Sequence, residues 1–172
     1  MNLLPREEWN RFFGEFEHTT FRLEVRERYN VPYEAGELER FLGDGRFDPG
    51  PYDWLRQVRA AVRAGRTYRR VRVVSVPLSD YSRFGVATAA QTNAAGEDIR
   101  YLERGEAGEL GVPLQHDWWL FDSHRLLRLH FDDDDRLLGG ELVTDPVAVV
   151  EANRVRDLAW HHAWLREIFN DR

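Results

Sequence analysis

The chain has 172 residues, 42% hydrophobic and 31% charged, which is enough apolar material for one domain with its own core and unlike a disordered segment. The absence of cysteine excludes disulfides, iron–sulfur clusters, thiolate zinc sites and a thiol nucleophile, and because all 24 basic residues are Arg a Schiff-base or phosphate-clamping Lys is excluded too. The formal charge of −6 opposes nonspecific nucleic-acid binding, which is driven by neutralising phosphates.

At the N-terminus "MNLLPREEWN" lacks a basic stretch leading into an apolar one, and no apolar run approaches the roughly 18 residues of a spanning helix. A cytoplasmic protein without membrane contact is expected. "EEWNRFFGEF" reads as an amphipathic helix, with Trp9, Phe12, Phe13 and Phe16 at helical spacing. "TTFRLEVRERY" alternates. Phe21, Leu23 and Val25 fall on one side and Arg22, Glu24 and Arg26 on the other, which predicts a strand with one wet face. Residues 29–51 are punctuated by Pro32, Gly36, Gly43, Gly45, Pro49, Gly50 and Pro51, and hold one short helix near residues 35–42. This is the nearest thing to a boundary, so residues 1–50 are read as a helix–strand–loop extension to an α/β core over 51–172, all within a single domain.

"YDWLRQVRAAVRAGR" predicts a helix with Leu55, Val58 and Val62 as its apolar stripe, stopped by Gly65. "TYRRVRVVSVPL" predicts a strand, and the following helix has Ser79 as N-cap and a stop at residues 93–96. "DIRYLER" is a short strand. Helix–strand–helix–strand over residues 52–103 favours parallel pairing. After a loop at 105–113 come three β segments, "DWWLFD", "RLLRLHF" and "RLLGGELV". A long helix follows, capped by Asp145 with Pro146 in its first turn and carrying Val147, Val150, Val155, Leu158, Leu165 and Ile168 as a buried face. The predicted class is α/β (α+β), a mixed sheet flanked by helices.

His130 followed by aspartates at 132–135 has the look of a metal site. A calcium loop of the EF-hand type needs Gly at its sixth position and Glu at its twelfth, where counting from Asp132 gives Leu137 and Val143. The alternating segments on either side make the run a hairpin turn, with a divalent-cation site as the alternative. His161 and His162 are adjacent on a helix, about 100° apart, and do not chelate one ion together. No cofactor or metal is expected.

Two stretches carry the candidate ligand or partner contacts. In "RTYRRVRVVSVPLSDYSRF", Arg70 and Arg72 lie in a strand, and Ser79, Asp80, Tyr81 and Arg83 sit where it meets a helix N-terminus, the position where α/β sheets bind ligands and where anions are favoured. The alternative is an exposed Arg face on an edge strand. There is no glycine-rich phosphate loop here. In "HDWWLFDSH", Trp118 and Trp119 point to opposite faces, so either both faces are covered or one meets a partner. Asp122 at the strand end is a turn residue or an acid.

Together "FGEFEHTTFRLEVRERYNVP", "YRRVRVVSVPLSDYSRF", "AAGEDIRYLER" and "DWWLFDSHRLLRLHFD" followed by "GGELVTDP" resemble a family of domains of unknown function from Streptomyces and its actinobacterial relatives. Members are often encoded beside helix-turn-helix regulators of the Xre type. The resemblance therefore implies a non-enzymatic regulatory or interaction domain whose partner is such a regulator, or a second copy of itself. The second half also resembles, by fold analogy, a phospholipase D-like half-fold. Active members of that fold carry H-x-K, a later Asp and G-S. Here the closest residues are His116, Asp117, Trp118 and Asp122, with Trp118 in place of the lysine, the Asp one residue short and Gly139-Gly140 in place of G-S. Without the lysine the phosphate loses its clamp, which implies a degenerate phosphodiesterase or a phosphate-ligand sensor.

Overall fold

A computed structural model describes residues 3–48 and 52–170. The chain opens with two single helical turns, α1 (Arg6–Trp9) and α2 (Phe12–Glu15), followed by β1 (Thr19–Glu24). Then come α3 (Ala35–Asp44), α4 (Tyr52–Arg63), β2 (Thr67–Val74), α5 (Asp80–Ala95), β3 (Glu97–Glu103) and α6 (Arg104–Glu109). The second half holds β4 (Trp118–Phe121), β5 (Arg125–Phe131), β6 (Leu137–Val143), α7 (Pro146–His162), β7 (Trp164–Leu165) and α8 (Arg166–Asn170). Among the described residues no helix is long and apolar enough to cross a membrane. Residues 49–51, part of the expected boundary loop, lie outside the described residues.

The strands form one mixed sheet in the order β6-β5-β4-β1-β2-β3-β7, as the α/β class predicted. β1, β2 and β3 are parallel, joined by helical crossovers, while β4, β5 and β6 form an antiparallel meander attached to β1. Two expectations change here. β1 was assigned to an N-terminal extension, but it is a central strand between β4 and β2, so extension and core share one sheet. β2 is likewise interior, which removes the reading of its arginines as an exposed face on an edge strand.

Alternation sends the strand residues to two faces. Phe21, Leu23, Val71, Val73, Leu102, Trp118 and Leu120 pack on one face against Ala152, Val155 and Ala159 of α7 and Ala107 of α6. On that side the Trp160 ring lies between the guanidiniums of Arg69 and Arg100, at 5.0 and 3.9 Å. The opposite face carries two apolar clusters. One gathers Trp9, Phe12, Phe13 and Phe16 with Leu55, Val58, Tyr68, Trp119 and Phe121; the other joins Val74, Ile99 and Tyr101 to α5 and to Phe169 of α8. Along β2 these clusters correspond to Tyr68 and Val74, and Arg70 and Arg72 fill the interval between them.

Candidate functional site

The interval is a buried charged strip built by strand register. β1 and β2 set Arg22 beside Arg70 and Glu24 beside Arg72, and β2 and β3 set Arg72 beside Tyr101. Period-2 alternation then puts all of these side chains, with Glu97, on one face. The Glu24 carboxylate accepts from Arg70 Nη1 at 2.8 Å and Arg72 Nε at 2.5 Å, with Arg22 Nε 3.0 Å away. Arg70 Nε donates to Glu97 at 2.7 Å, and Trp54 Nε1 donates to the other Glu97 oxygen at 3.1 Å. Asp117, fully buried, accepts from the Val25 amide at 2.8 Å, the Tyr29 hydroxyl at 2.5 Å and Arg22 Nη2 at 3.3 Å. Beneath these groups Trp119 offers its ring to Arg22 and Arg70, at 5.2 and 5.6 Å.

Three guanidiniums thus meet three carboxylates. Burial pushes the Glu24 carboxyl up, but Arg22, Arg70 and Arg72 outweigh it and hold the group well below the usual carboxylate range. Asp117 moves the other way. Burial raises it, the neighbouring Glu24 charge adds to the rise, and the longer contact with Arg22 does not cancel them. A buried pair of this kind adds little net stability, but removing one partner leaves an uncompensated charge.

At the carboxyl ends of β1 and β2 the strip opens into a cavity of about 20 Å³, lined by Glu24, Arg26, Glu27, Tyr29, Arg72, Tyr81, Ser82, Gly85 and Tyr101, among others. Arg72 Nη1 lies so close to α5 that a Cβ on Gly85 would stand 2.6 Å from it, and glycine is what permits the approach. Glu27 is held by Arg104 Nε at 2.6 Å and the Ser75 hydroxyl at 2.5 Å. The Tyr81 hydroxyl donates to Glu34 at 2.7 Å.

The nine residues singled out from the sequence do not form one site. Arg70, Arg72 and Tyr81 belong to the strip or its cavity. Ser79 is the N-cap of α5, accepting from the Ser82 amide at 3.1 Å, and Asp80 pairs with Arg83 at 2.8 Å on the exposed side of the first turn. Trp118 and Trp119 are core residues of opposite faces, so neither is presented to a partner. Asp122 is a turn residue. It has positive φ, as does Ser123, and its carboxylate accepts from the amides of Glu17, His18 and Thr19 at 2.8, 2.8 and 2.9 Å. Burial pushes its carboxyl up, and these three amides bring it below the ordinary value. His116 and Asp122 flank opposite ends of β4, so the residues of the phospholipase D likeness do not converge.

The aspartates at 132–135 form the β5–β6 turn. Asp132 Oδ1 accepts from the amides of Asp134 and Arg136, Asp135 takes positive φ and pairs with Arg26, and Asp134 pairs with Arg136. His130 faces Glu141 at 2.9 Å instead of the turn. Sequence reasoning missed Glu24, Tyr29, Glu97, Tyr101 and Asp117. The available signal was the alternation of Arg22 and Glu24 beside that of Arg70 and Arg72, but a polar face was read as a wet one.

A family model described as a domain of unknown function (DUF6879) matches residues 7–170. No curated protein matches the chain.

Proposed function

The chain therefore belongs to the DUF6879 family, and we propose that it is a non-enzymatic regulatory domain whose partner is a helix-turn-helix transcriptional regulator. The observation that supports a docking role is an apolar sheet edge. Trp164 and Leu165 of β7 and Ile168 of α8 are 38, 44 and 48% exposed at the sheet edge beside β3. Exposed apolar residues on a sheet edge favour an interaction surface. With Trp118 and Trp119 in the core, the partner surface in this reading is the edge that carries Leu165 and Ile168.

A non-enzymatic reading is supported by the state of the acids at the strand ends. Glu24 and Glu97 are each bound to guanidiniums, and Glu27 is bound to Arg104, so none is presented as a base or nucleophile. The test is co-purification. Tagged full chain isolated from its host is expected to bring down a helix-turn-helix protein, and Leu165→Asp with Ile168→Asp is expected to lose it while keeping the same thermal midpoint. Recovery of a second copy alone assigns the edge to a homodimer and rejects the regulator.

A further inference from the structure

We propose that the cavity at the carboxyl ends of β1 and β2 binds an oxyanion head group, phosphate or carboxylate, through Arg72, Arg26 and Tyr101. The site goes beyond the partner reading and stands without it.

Two buried donors there lack an acceptor, and they stand beside the part-exposed guanidinium of Arg72. Tyr101 is 0% exposed, and its hydroxyl has no hydrogen-bond partner. Its charged neighbours are Arg72, Glu24, Arg166 and Arg70, and of these Arg72 and Glu24 line the cavity together with Tyr101. Arg26 Nε is also buried and unpartnered, although Nη2 of the same guanidinium is bound to Asp135. Arg72 gives Nε to Glu24, and among the described residues its two Nη groups make no hydrogen bond. Buried polar atoms are nearly always satisfied, so orphans that gather at one cavity call for an explanation.

All three groups donate, which fixes the ligand chemistry as an acceptor. A cation offers these donors no acceptor and is repelled by the guanidiniums. The carboxylates in the lining do not compete for the role. Glu24 is neutralised by Arg22, Arg70 and Arg72, and Glu27 by Arg104. The four charged groups in the lining, Glu24, Arg26, Glu27 and Arg72, sum to zero. Behind them Arg22 pairs with Asp117 and Arg70 with Glu97.

Placement and size agree with this chemistry. The cavity lies beyond the carboxyl ends of parallel strands and touches the first turn of α5 at Tyr81 and Ser82, where the helix dipole is positive. Its volume of about 20 Å³ admits one water-sized group. Only the oxygen edge of a head group enters, and the remainder stays at the open mouth. Gly85 keeps the approach to Arg72 clear, since a methyl there would meet Nη1 at 2.6 Å.

The experiment titrates inorganic phosphate and, separately, acetate into the full chain at constant ionic strength, with binding followed by calorimetry. Saturable binding of either anion is expected, and the stronger of the two identifies the head group. Tyr101→Phe removes only the orphan hydroxyl, so affinity is expected to fall about tenfold while the thermal midpoint holds or rises. Gly85→Ala is expected to abolish binding by displacing Arg72. If neither anion saturates, or if both variants bind like the wild type, the site does not exist.

Discussion

Glu24 faces three guanidiniums inside the protein, and the consequences of removing its charge follow from that geometry. Glu24→Gln leaves the arginines with one counter-charge fewer in a buried setting and is expected to cost about 3–5 kcal/mol, read by urea unfolding. The pH dependence has a definite sign. Because the folded carboxyl lies below its ordinary value of 4.5, its stabilisation is complete above that pH and is lost as pH falls through the folded value. The gap between wild type and Glu24→Gln is therefore constant above pH 4.5 and narrows below it. Asp117 acts oppositely. Its raised folded value favours the fold below the ordinary 3.8, and that contribution fades as pH rises through the folded value. At Asp122, loss of an acceptor for three amides makes Asp122→Ala cost about 2 kcal/mol in the same assay. Asp122→Asn costs less, since Asn keeps one acceptor oxygen and tolerates positive φ. The arginines and Glu24 were legible as one strand face. Their burial was not, because Trp54 and Asp117 arrive from distant positions; Asp117 and Arg22 are 95 residues apart in the chain.

Local chemistry made the helices around this strip readable. Ser79 caps α5 and Asp145 caps α7 with Pro146 behind it, both as expected. Ser79→Ala is expected to cost about 1 kcal/mol in thermal or urea unfolding. Gly96 ends α5 at φ 110°, and a Cβ there would stand 2.9 Å from a Val62 methyl. Gly96→Ala is expected to destabilise by about 2 kcal/mol, and adding Val62→Ala recovers only part of that, since the backbone strain remains. The last helix departs from its pattern. It stops at His162, where the chain turns to pair with β3 through β7. Of its expected buried face Val155 and Leu158 pack against the sheet, joined by Ala152 and Ala159, whereas Val147 and Val150 are exposed, as are Leu165 and Ile168 beyond the helix end. Apolar residues at helical spacing do not by themselves say which side meets the sheet. The first predicted helix also breaks into two turns, yet Trp9, Phe12, Phe13 and Phe16 all remain buried.

For the whole molecule, the run of helices and strands in the middle of the chain pointed to parallel pairing, and β1, β2 and β3 are parallel. The placement of β4 against β1 was out of reach of local pattern, because it joins segments about a hundred residues apart and turns a supposed extension into the centre of the sheet. The buried charges lie between two apolar clusters of the sheet, and the regulatory reading rests on what its β7 edge presents. Calorimetric titration of a co-purifying helix-turn-helix regulator with the full chain tests that reading most directly. A saturable complex with the wild type, absent for Leu165→Asp with Ile168→Asp, is the predicted result. No complex, or equal binding by the variant, would contradict it.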